Sequence, residues 1–187
     1  MRRPKASSKK LPEQIAEIVK SALKPVKLFF QDESRFGRIS QAIGCWAPVG
    51  HRPVVPSQMI REYTYAYTPA CPLDGQTVSL ILPDMSTDCL NLFLKELANR
   101  YPHHHLILVL DGAPSHRGKE RIIPDNISLI PLPPYSPELK KQGFYNRVFD
   151  TLTQVEDQLE AMLKHFHNHP QLVQSIVAYP WILNALN

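Results

Sequence analysis

The sequence predicts an α/β fold in which antiparallel hairpins come first and parallel strands follow. The segment Leu106–Leu110 is an uninterrupted aliphatic run, typical of a strand buried on both faces in the middle of a helix-covered sheet. Earlier in the chain, Tyr63–Thr68 alternates and is rich in strand formers. Asp74-Gly75 is a hairpin signal before a return strand at Thr77–Leu82. The early strands are therefore predicted to form an antiparallel meander.

A helix and two further strands are predicted before Tyr63, and these strands belong to the same antiparallel meander. Residues 11–23 carry apolar side chains at helical spacing and predict a helix. A short strand is predicted at 27–31, and it ends at Asp32. Turn formers at 34–40 then predict a hairpin to a second strand around 43–48.

Helices and strands alternate in the second half of the chain. The predicted elements are a helix at 86–100, the strand at 106–111, a short helix at 116–121, a strand at 127–131 and a helix at 151–166. Thr153 and Glu156 suit a capping box at the start of the last helix. The order β-β-β-α-β-α-β-α is that of an RNase H-like mixed sheet flanked by helices, with the later strands parallel to each other.

The composition is that of one soluble domain. A chain of 187 residues with a 43% apolar share can bury a packed core. No apolar run approaches the length of a membrane span, and no apolar segment follows the basic N-terminus as in a secretion signal. The three cysteines are scattered and odd in number. This pattern favours reduced thiols in the cytoplasm over disulfides or a zinc site.

The positive charge is concentrated at the N-terminus. Residues 1–10 contain no acid and five basic side chains, Arg2, Arg3, Lys5, Lys9 and Lys10. We therefore predict a basic flexible arm at 1–10 and a nearly neutral domain at 11–187. Such an arm suits contact with nucleic acid, and arms of this kind also serve as linkers or solubilising tails.

Two predicted strands end in a carboxylate, Asp32 and Asp111. Functional groups collect at the carboxyl ends of parallel strands, although Asp111-Gly112 is also a common turn pair. In an RNase H-like strand order the two strands are neighbours, which brings the two carboxylates together. Carboxylates at short range repel unless a cation lies between them, and hard oxygen ligands suit Mg²⁺.

The sequence resembles the DDE transposases of bacterial insertion sequences, in the branch related to mariner elements. The resemblance rests on ordered motifs: F-F-Q-D-E-S-R-F-G at 29–37, W-A-P-V-G-H-R-P at 46–53, L-D-G-A-P-S-H at 110–116 and L-P-P-Y-S-P-E-L at 132–139. It implies DNA cleavage and strand transfer dependent on Mg²⁺ (or Mn²⁺) in the bacterial cytoplasm, with Asp32 and Asp111 as catalytic metal ligands. The implied partners are DNA, at element ends and target, and a second copy or an intact transposase.

The third acid of the family is missing at its expected position. In the family, Ser-Pro-Glu-Leu continues as Asn-Pro-x-Glu, whereas here Gly143 occupies the position of that glutamate. Residues 144–150 again resemble the family, so the sequence predicts an in-frame loss of the segment that carries the third acid. One candidate to replace the missing third ligand is Glu138, in the proline-rich loop. The others are Glu156, Asp157 and Glu160 on the last predicted helix, where each is also explained as a solvated surface charge. We therefore expect an impaired transposase-type endonuclease.

The alternative is an inactive remnant that only binds DNA or an intact transposase. A nuclease of another RNase H-like family ranks third, because the ordered motifs argue against it. No helix-turn-helix segment precedes residue 11, and relatives usually carry one. We therefore expect the C-terminal part of a split or truncated reading frame.

Several other residues are weaker candidates. His116 either approaches the metal site as an auxiliary group or caps the short helix. Trp46 is predicted to lie in the core. The tracts His103–His105 and His165–His169 are interpreted as exposed histidines rather than zinc ligands. The candidates for contact with DNA phosphates, each of which also fits an ordinary solvated surface, are Arg35, Arg38, His51 and Arg52.

Overall fold

The computed structural model describes residues 11–40, 42–44, 46–110, 120–131, 144, 147–178 and 180–184. In chain order the elements are α1 (Leu11–Ser21), β1 (Val26–Ile39), β2 (Met59–Ala70), β3 (Leu80–Leu82), α2 (Thr87–Arg100), β4 (His105–Leu110), β5 (Ile127–Pro131), α3 (Leu152–Asn168), α4 (Pro170–Val177) and α5 (Pro180–Asn184). Among the helices of these ranges, none has both the length and the apolar character that a membrane crossing requires.

The sheet is mixed and has the strand order β3-β2-β1-β4-β5. The pairs β1–β2 and β2–β3 are antiparallel, and the pairs β1–β4 and β4–β5 are parallel. The predicted RNase H-like architecture, with antiparallel strands first and parallel strands after, is therefore confirmed. The middle position belongs to β1, whereas the aliphatic strand β4 lies beside it.

Helices cover both faces of the sheet. Alternate residues of β4 point to opposite faces, and all of Leu106–Leu110 are buried. Leu106, Leu108 and Leu110 pack in the cluster that contains the buried face of α2. Ile107 and Val109 pack in a second cluster with residues of α1 and α5. A third cluster joins Phe36 of β1 and Ala66 of β2 to the buried residues of α3.

The prediction of a short first strand and a hairpin at 34–40 is wrong. β1 continues without a turn to Ile39, and the described residues within 43–48 form no strand. The partner of β1 is β2, with which it pairs from Phe30 to Ile39. Gly37 is required by this pairing, because a Cβ atom there would overlap the carbonyl of Glu62 and the ring of Tyr63. The glycine marks a close approach inside a strand and does not mark a turn.

The helix predictions differ in accuracy. Ser86 caps α2 as predicted, with its hydroxyl accepting a hydrogen bond from the backbone N–H of Cys89 at 3.2 Å. The predicted capping box of α3 is wrong, since Thr151 is the capping residue and accepts from the backbone N–H of Gln154 at 3.2 Å. Most of the short helix predicted at 116–121 lies outside the described residues, and its last two residues are not helical.

Gly75 is the glycine for which substitution is expected to destabilise the fold most clearly. It has a φ of +70°, and an added Cβ would overlap the backbone carbonyl of Pro170 in α4. We expect Gly75→Ala to lower the free energy of unfolding by about 2–4 kcal/mol, because left-handed strain and overpacking add. Gly50 has a φ of +85° and open space around it. Gly50→Ala is therefore expected to lose only about 1–2 kcal/mol. Urea unfolding measures both, and equal losses would contradict the role of the Pro170 contact.

Candidate metal centre on the central strand

Asp32 lies on β1 at the point where the described pairing with β4 ends. The parallel pairs run from Val26–His105 to Gln31–Leu110, and half-buried Asp32 is the next residue of β1. Asp111 follows Leu110 in the sequence in the same way. The prediction that the two strands are neighbours is confirmed. Four predicted positions, Asp111, His116, Glu138 and Gly143, lie outside the described residues, so the meeting of the two carboxylates stays a prediction.

The face of β1 that carries Asp32 is the face covered by α1 and α3. Side chains alternate along a strand, so Leu28, Asp32 and Phe36 share one face. Leu28 packs in the cluster of α1 and Phe36 in the cluster of α3. Asp32 therefore lies between two apolar clusters, where an ionised carboxylate requires a cation or hydrogen-bond donors.

Glu33 faces the other side of the sheet. It pairs with Tyr67 of β2, and the ring of Tyr67 packs against Phe93 of α2 with 5.6 Å between ring centroids. Burial raises the pKa of Tyr67, and the nearby carboxylate of Glu33 raises it further. The hydroxyl of Tyr67 donates to the backbone carbonyl of Asp84 at 3.1 Å. Of the two adjacent acids Asp32 and Glu33, only Asp32 therefore lies on the face of the sheet that carries the candidate metal centre.

Thr68 lies beside Asp32, and the sequence did not single it out. It lies on β2 directly opposite Asp32 in the antiparallel register. Its side chain is 7% exposed, and its hydroxyl has no hydrogen-bond partner within the described chain. Thr68 is identified only from the pairing register of β1 and β2, and this register cannot be read from a single sequence.

Helix α3 brings Glu156 to the same side of the sheet. Val155 is buried in the cluster with Phe36 and Ala66, and the next residue, Glu156, is half-buried. Asp157 and Glu160 are exposed, and Glu160 pairs with Lys164 at 2.6 Å. Within the described ranges, no three His, Cys, Asp or Glu residues form a group that could hold a metal ion. The role of Glu156 as a substitute ligand stays a prediction.

Arginine side chains surround a small open pocket near the end of β1. Its aromatic lining is Phe36, Phe144 and Phe149, and its polar lining includes Gln58, Arg35, Arg38 and Arg147. Arg38 donates to Glu62 at 2.8 Å and to the backbone carbonyl of Phe149 at 2.9 Å. Arg147 donates to Gln158 at 3.0 Å. Among the residues that the structure describes, no acid lines the pocket, although Arg38 is paired with Glu62 beside it, so the charge of its lining is suited to an anion. Sequence reasoning identified Arg35 and Arg38 but missed Arg147.

The segment between β1 and β2 is exposed rather than packed. The prediction that Trp46 lies in the core is wrong, since its exposure is 103%. Val49 and Val54 are also fully exposed. His51 and Arg52 are exposed on the same segment and do not line the arginine pocket. The structure therefore brings Arg35 and Arg38 to one pocket and leaves His51 and Arg52 apart from it.

The histidine tracts make ordinary contacts. His105 lies within 2.8 Å of the hydroxyl of Ser128. His165 and His169 are exposed, and their rings lie 4.3 Å apart between centroids. His167 is exposed as well, with its Nδ1 at 3.3 Å from the backbone carbonyl of Thr77.

Residues 27–168 match the family model described as DDE superfamily endonuclease. The chain belongs to this family. It is also 28% identical over 130 residues to the uncharacterized protein y4pE/y4sA of Sinorhizobium fredii (strain NBRC 101917 / NGR234), covering 64% of this chain and 96% of that relative. The DDE resemblance carried by the sequence motifs is therefore confirmed.

Solved structures of Mos1 transposase complexes share the fold of this DDE endonuclease chain. The Mos1 mariner paired end complex with Mn has a TM-score of 0.55 at 14% identity, covering 88% of this chain and 57% of that chain. The corresponding complex with Mg has a TM-score of 0.53 at 16% identity, covering 89% of this chain and 60% of that chain. The DDE chain described here thus spans less than two thirds of those solved chains.

Proposed function

We propose that this chain is the catalytic domain of a transposase-type DNA endonuclease of a bacterial insertion sequence, acting in the cytoplasm with Mg²⁺ or Mn²⁺. The observation that carries the proposal is the parallel pairing of β1 with β4, whose last described pair is Gln31–Leu110. Asp32 and Asp111 are the next residues of the two segments. We assign both as catalytic carboxylates that bind the metal, with His116 as an auxiliary group.

The residues near Asp32 fit a hard divalent cation. Carboxylate oxygens are preferred ligands of Mg²⁺, which also retains several of its own waters. The buried hydroxyl of Thr68, unpartnered within the described chain, lies on the same face and offers such a water a hydrogen-bond partner. The Mos1 complexes with Mn and Mg support the same choice by analogy of fold. When bound, such a metal activates the attacking oxygen and stabilises the leaving oxygen of a phosphodiester.

The third acid position decides how active the domain is. Gly143 stands where the family motif has glutamate, and loss of one metal-binding carboxylate removes much of the charge stabilisation in a phosphoryl-transfer site. We therefore propose slow cleavage by a site with two carboxylates. The same substitution favours a second candidate, an inactive remnant that only binds DNA or assembles with an intact transposase. Glu138 and Glu156 are the weak surrogates for the third ligand.

The proposed partner is DNA at transposon ends and at the target. The arginine pocket is suited to one backbone phosphate, because guanidinium groups bind phosphate oxygens through several donors. His51 and Arg52, which are exposed on the segment between β1 and β2 and lie apart from this pocket, are proposed as separate phosphate contacts. The fully exposed Trp46, Val49 and Val54 of that segment suit contact with a second copy of the chain or with an intact transposase.

Metal-dependent nicking of a supercoiled plasmid tests the proposed function. The purified chain is incubated with Mn²⁺, with Mg²⁺ or with EDTA, and nicked circles are quantified over time. We expect slow nicking with either metal and none with EDTA. Nicking that persists in EDTA, or no nicking with saturating DNA and metal, would contradict the endonuclease proposal. The second result combined with retained DNA binding would favour the inactive remnant.

A substitution at Arg147 tests the proposed contact between the arginine pocket and DNA. We expect Arg147→Gln to weaken binding to a short duplex and to lower the slope of log Kd against log salt by about 0.9, the amount for one phosphate contact. The matched control is Arg100→Gln, since Arg100 is exposed on α2 and lines a different groove. Fluorescence anisotropy over a salt series measures both variants. An unchanged slope for Arg147→Gln, or an equal change for the control, would contradict the assignment.

A further inference from the structure

Thr68 is an unexplained polar group beside the candidate metal centre. In the antiparallel register its side chain lies directly opposite Asp32 on the same face. Side chains in this relation have Cβ atoms about 4.5–5.5 Å apart. Its hydroxyl is buried and finds no partner within the described chain. Buried hydroxyls without a partner are rare in folded proteins, and an unseen water or ion is a standard explanation for them.

A comparable threonine on the same strand, Thr64, has a hydrogen-bond partner for its hydroxyl. Thr64 lies on the same face of β2, opposite Phe36, and it donates to the backbone carbonyl of Leu82 at 3.3 Å. At position 68 a valine has nearly the shape of threonine without the hydroxyl. Packing alone therefore does not explain a threonine at that position, whereas a polar partner next to Asp32 does.

We propose that Thr68 is a positioning residue for the metal bound by Asp32. This inference rests on the proposed function and adds a residue that neither the sequence motifs nor the family match assigned. With a metal bound at Asp32, the hydroxyl would hydrogen-bond to a water of that metal and would thereby restrain the Asp32 carboxylate. Groups that hydrogen-bond to metal ligands fix their orientation, and their loss weakens metal binding without removing a ligand.

The chain provides a matched control in Thr77. Thr77 is also buried, and its hydroxyl is also without a partner within the described residues. It bridges to Ala70 of β2 and is therefore separated from β1 by that strand. Thr68→Val and Thr77→Val thus remove the same kind of group, and only the first removes it beside Asp32.

The test is the Mn²⁺ dissociation constant of the full chain without DNA, measured by calorimetry or by electron paramagnetic resonance of free Mn²⁺. We expect Thr68→Val to weaken Mn²⁺ binding by about 10- to 100-fold, as for other groups that orient metal ligands. Thr68→Ser, which keeps the hydroxyl, and Thr77→Val are expected to bind Mn²⁺ like the wild type. Thermal unfolding without metal is expected to give equal or higher Tm for both valine variants, because each removes an unsatisfied buried group.

The outcomes separate this inference from the proposed function. Wild-type Mn²⁺ affinity in Thr68→Val, together with a loss in Asp32→Asn, overturns the role of Thr68 and leaves the metal centre in place. Equal weakening in Thr68→Val and Thr68→Ser, or in Thr77→Val, also overturns it. A wild-type chain that binds no Mn²⁺, or that binds it independently of Asp32, overturns both proposals together.

Discussion

Asp32→Asn is expected to abolish metal-dependent nicking and to weaken Mn²⁺ binding by at least about 100-fold, because loss of a direct ligand costs more than loss of an outer-shell partner. The substitution keeps the shape of the side chain and removes its charge. With one carboxylate fewer, a divalent cation has too little negative charge near it to displace part of its hydration shell. Plasmid nicking and Mn²⁺ titration on the same preparation measure the two effects.

The neighbouring acid provides the control for Asp32. Glu33→Gln removes an equal charge one residue away, but Glu33 faces Tyr67 on the opposite side of the sheet. We expect the Glu33→Gln chain to keep wild-type nicking and Mn²⁺ affinity. If both variants lost activity equally, net charge rather than a site on one face of β1 would be responsible. Full activity in Asp32→Asn would remove Asp32 from the chemistry.

Gly143→Glu is expected to raise the rate of nicking by about 10- to 100-fold, through the charge stabilisation that a third carboxylate adds to the transition state. The substitution restores the acid of the Asn-Pro-x-Glu motif at its expected position. It is also expected to tighten Mn²⁺ binding, since each added carboxylate strengthens a site of hard oxygen ligands. Initial rates over a range of Mn²⁺ concentrations separate tighter metal binding from faster cleavage.

Two variants control the Gly143 experiment. Gly143→Gln changes the backbone and side-chain size in the same way without adding charge, and it is expected to stay at the wild-type rate. Equal gains for Glu and Gln would point to a loop effect instead of a metal ligand. Glu156→Gln in the unmodified chain tests the surrogate, and a strong loss of nicking would assign the third ligand to α3.

The sequence predicted those elements that local pattern determines. β5 was predicted with its observed limits, and β4 and α2 were predicted to within a residue or so of their observed limits, because their apolar runs and the capping Ser86 are local signals. β1 was predicted too short because Gly37 looks like a turn former when its neighbours are unknown. Its conformation is decided by Glu62 and Tyr63 on the paired strand.

The residues of the candidate site also fall into those that a local pattern reveals and those that distant contacts place. Asp32 was predicted because a carboxylate that follows an apolar strand is visible in one segment. Thr68 and Arg147 were not, because each reaches its place through contacts with residues far along the chain. Trp46 was predicted to lie in the core, whereas it is fully exposed.

The central place of β1 has a consequence for the order of folding. β2 and β3 lie nearer to β1 in the chain than β4 does, because β4 follows the meander and α2. Loop closure makes the local hairpins form faster than the distant parallel pair. The two carboxylates that we propose for the metal centre therefore come together when this distant parallel pair forms, after the antiparallel strands have paired. The early pairing of β1 with β2 therefore proceeds without the charge repulsion of the two acids.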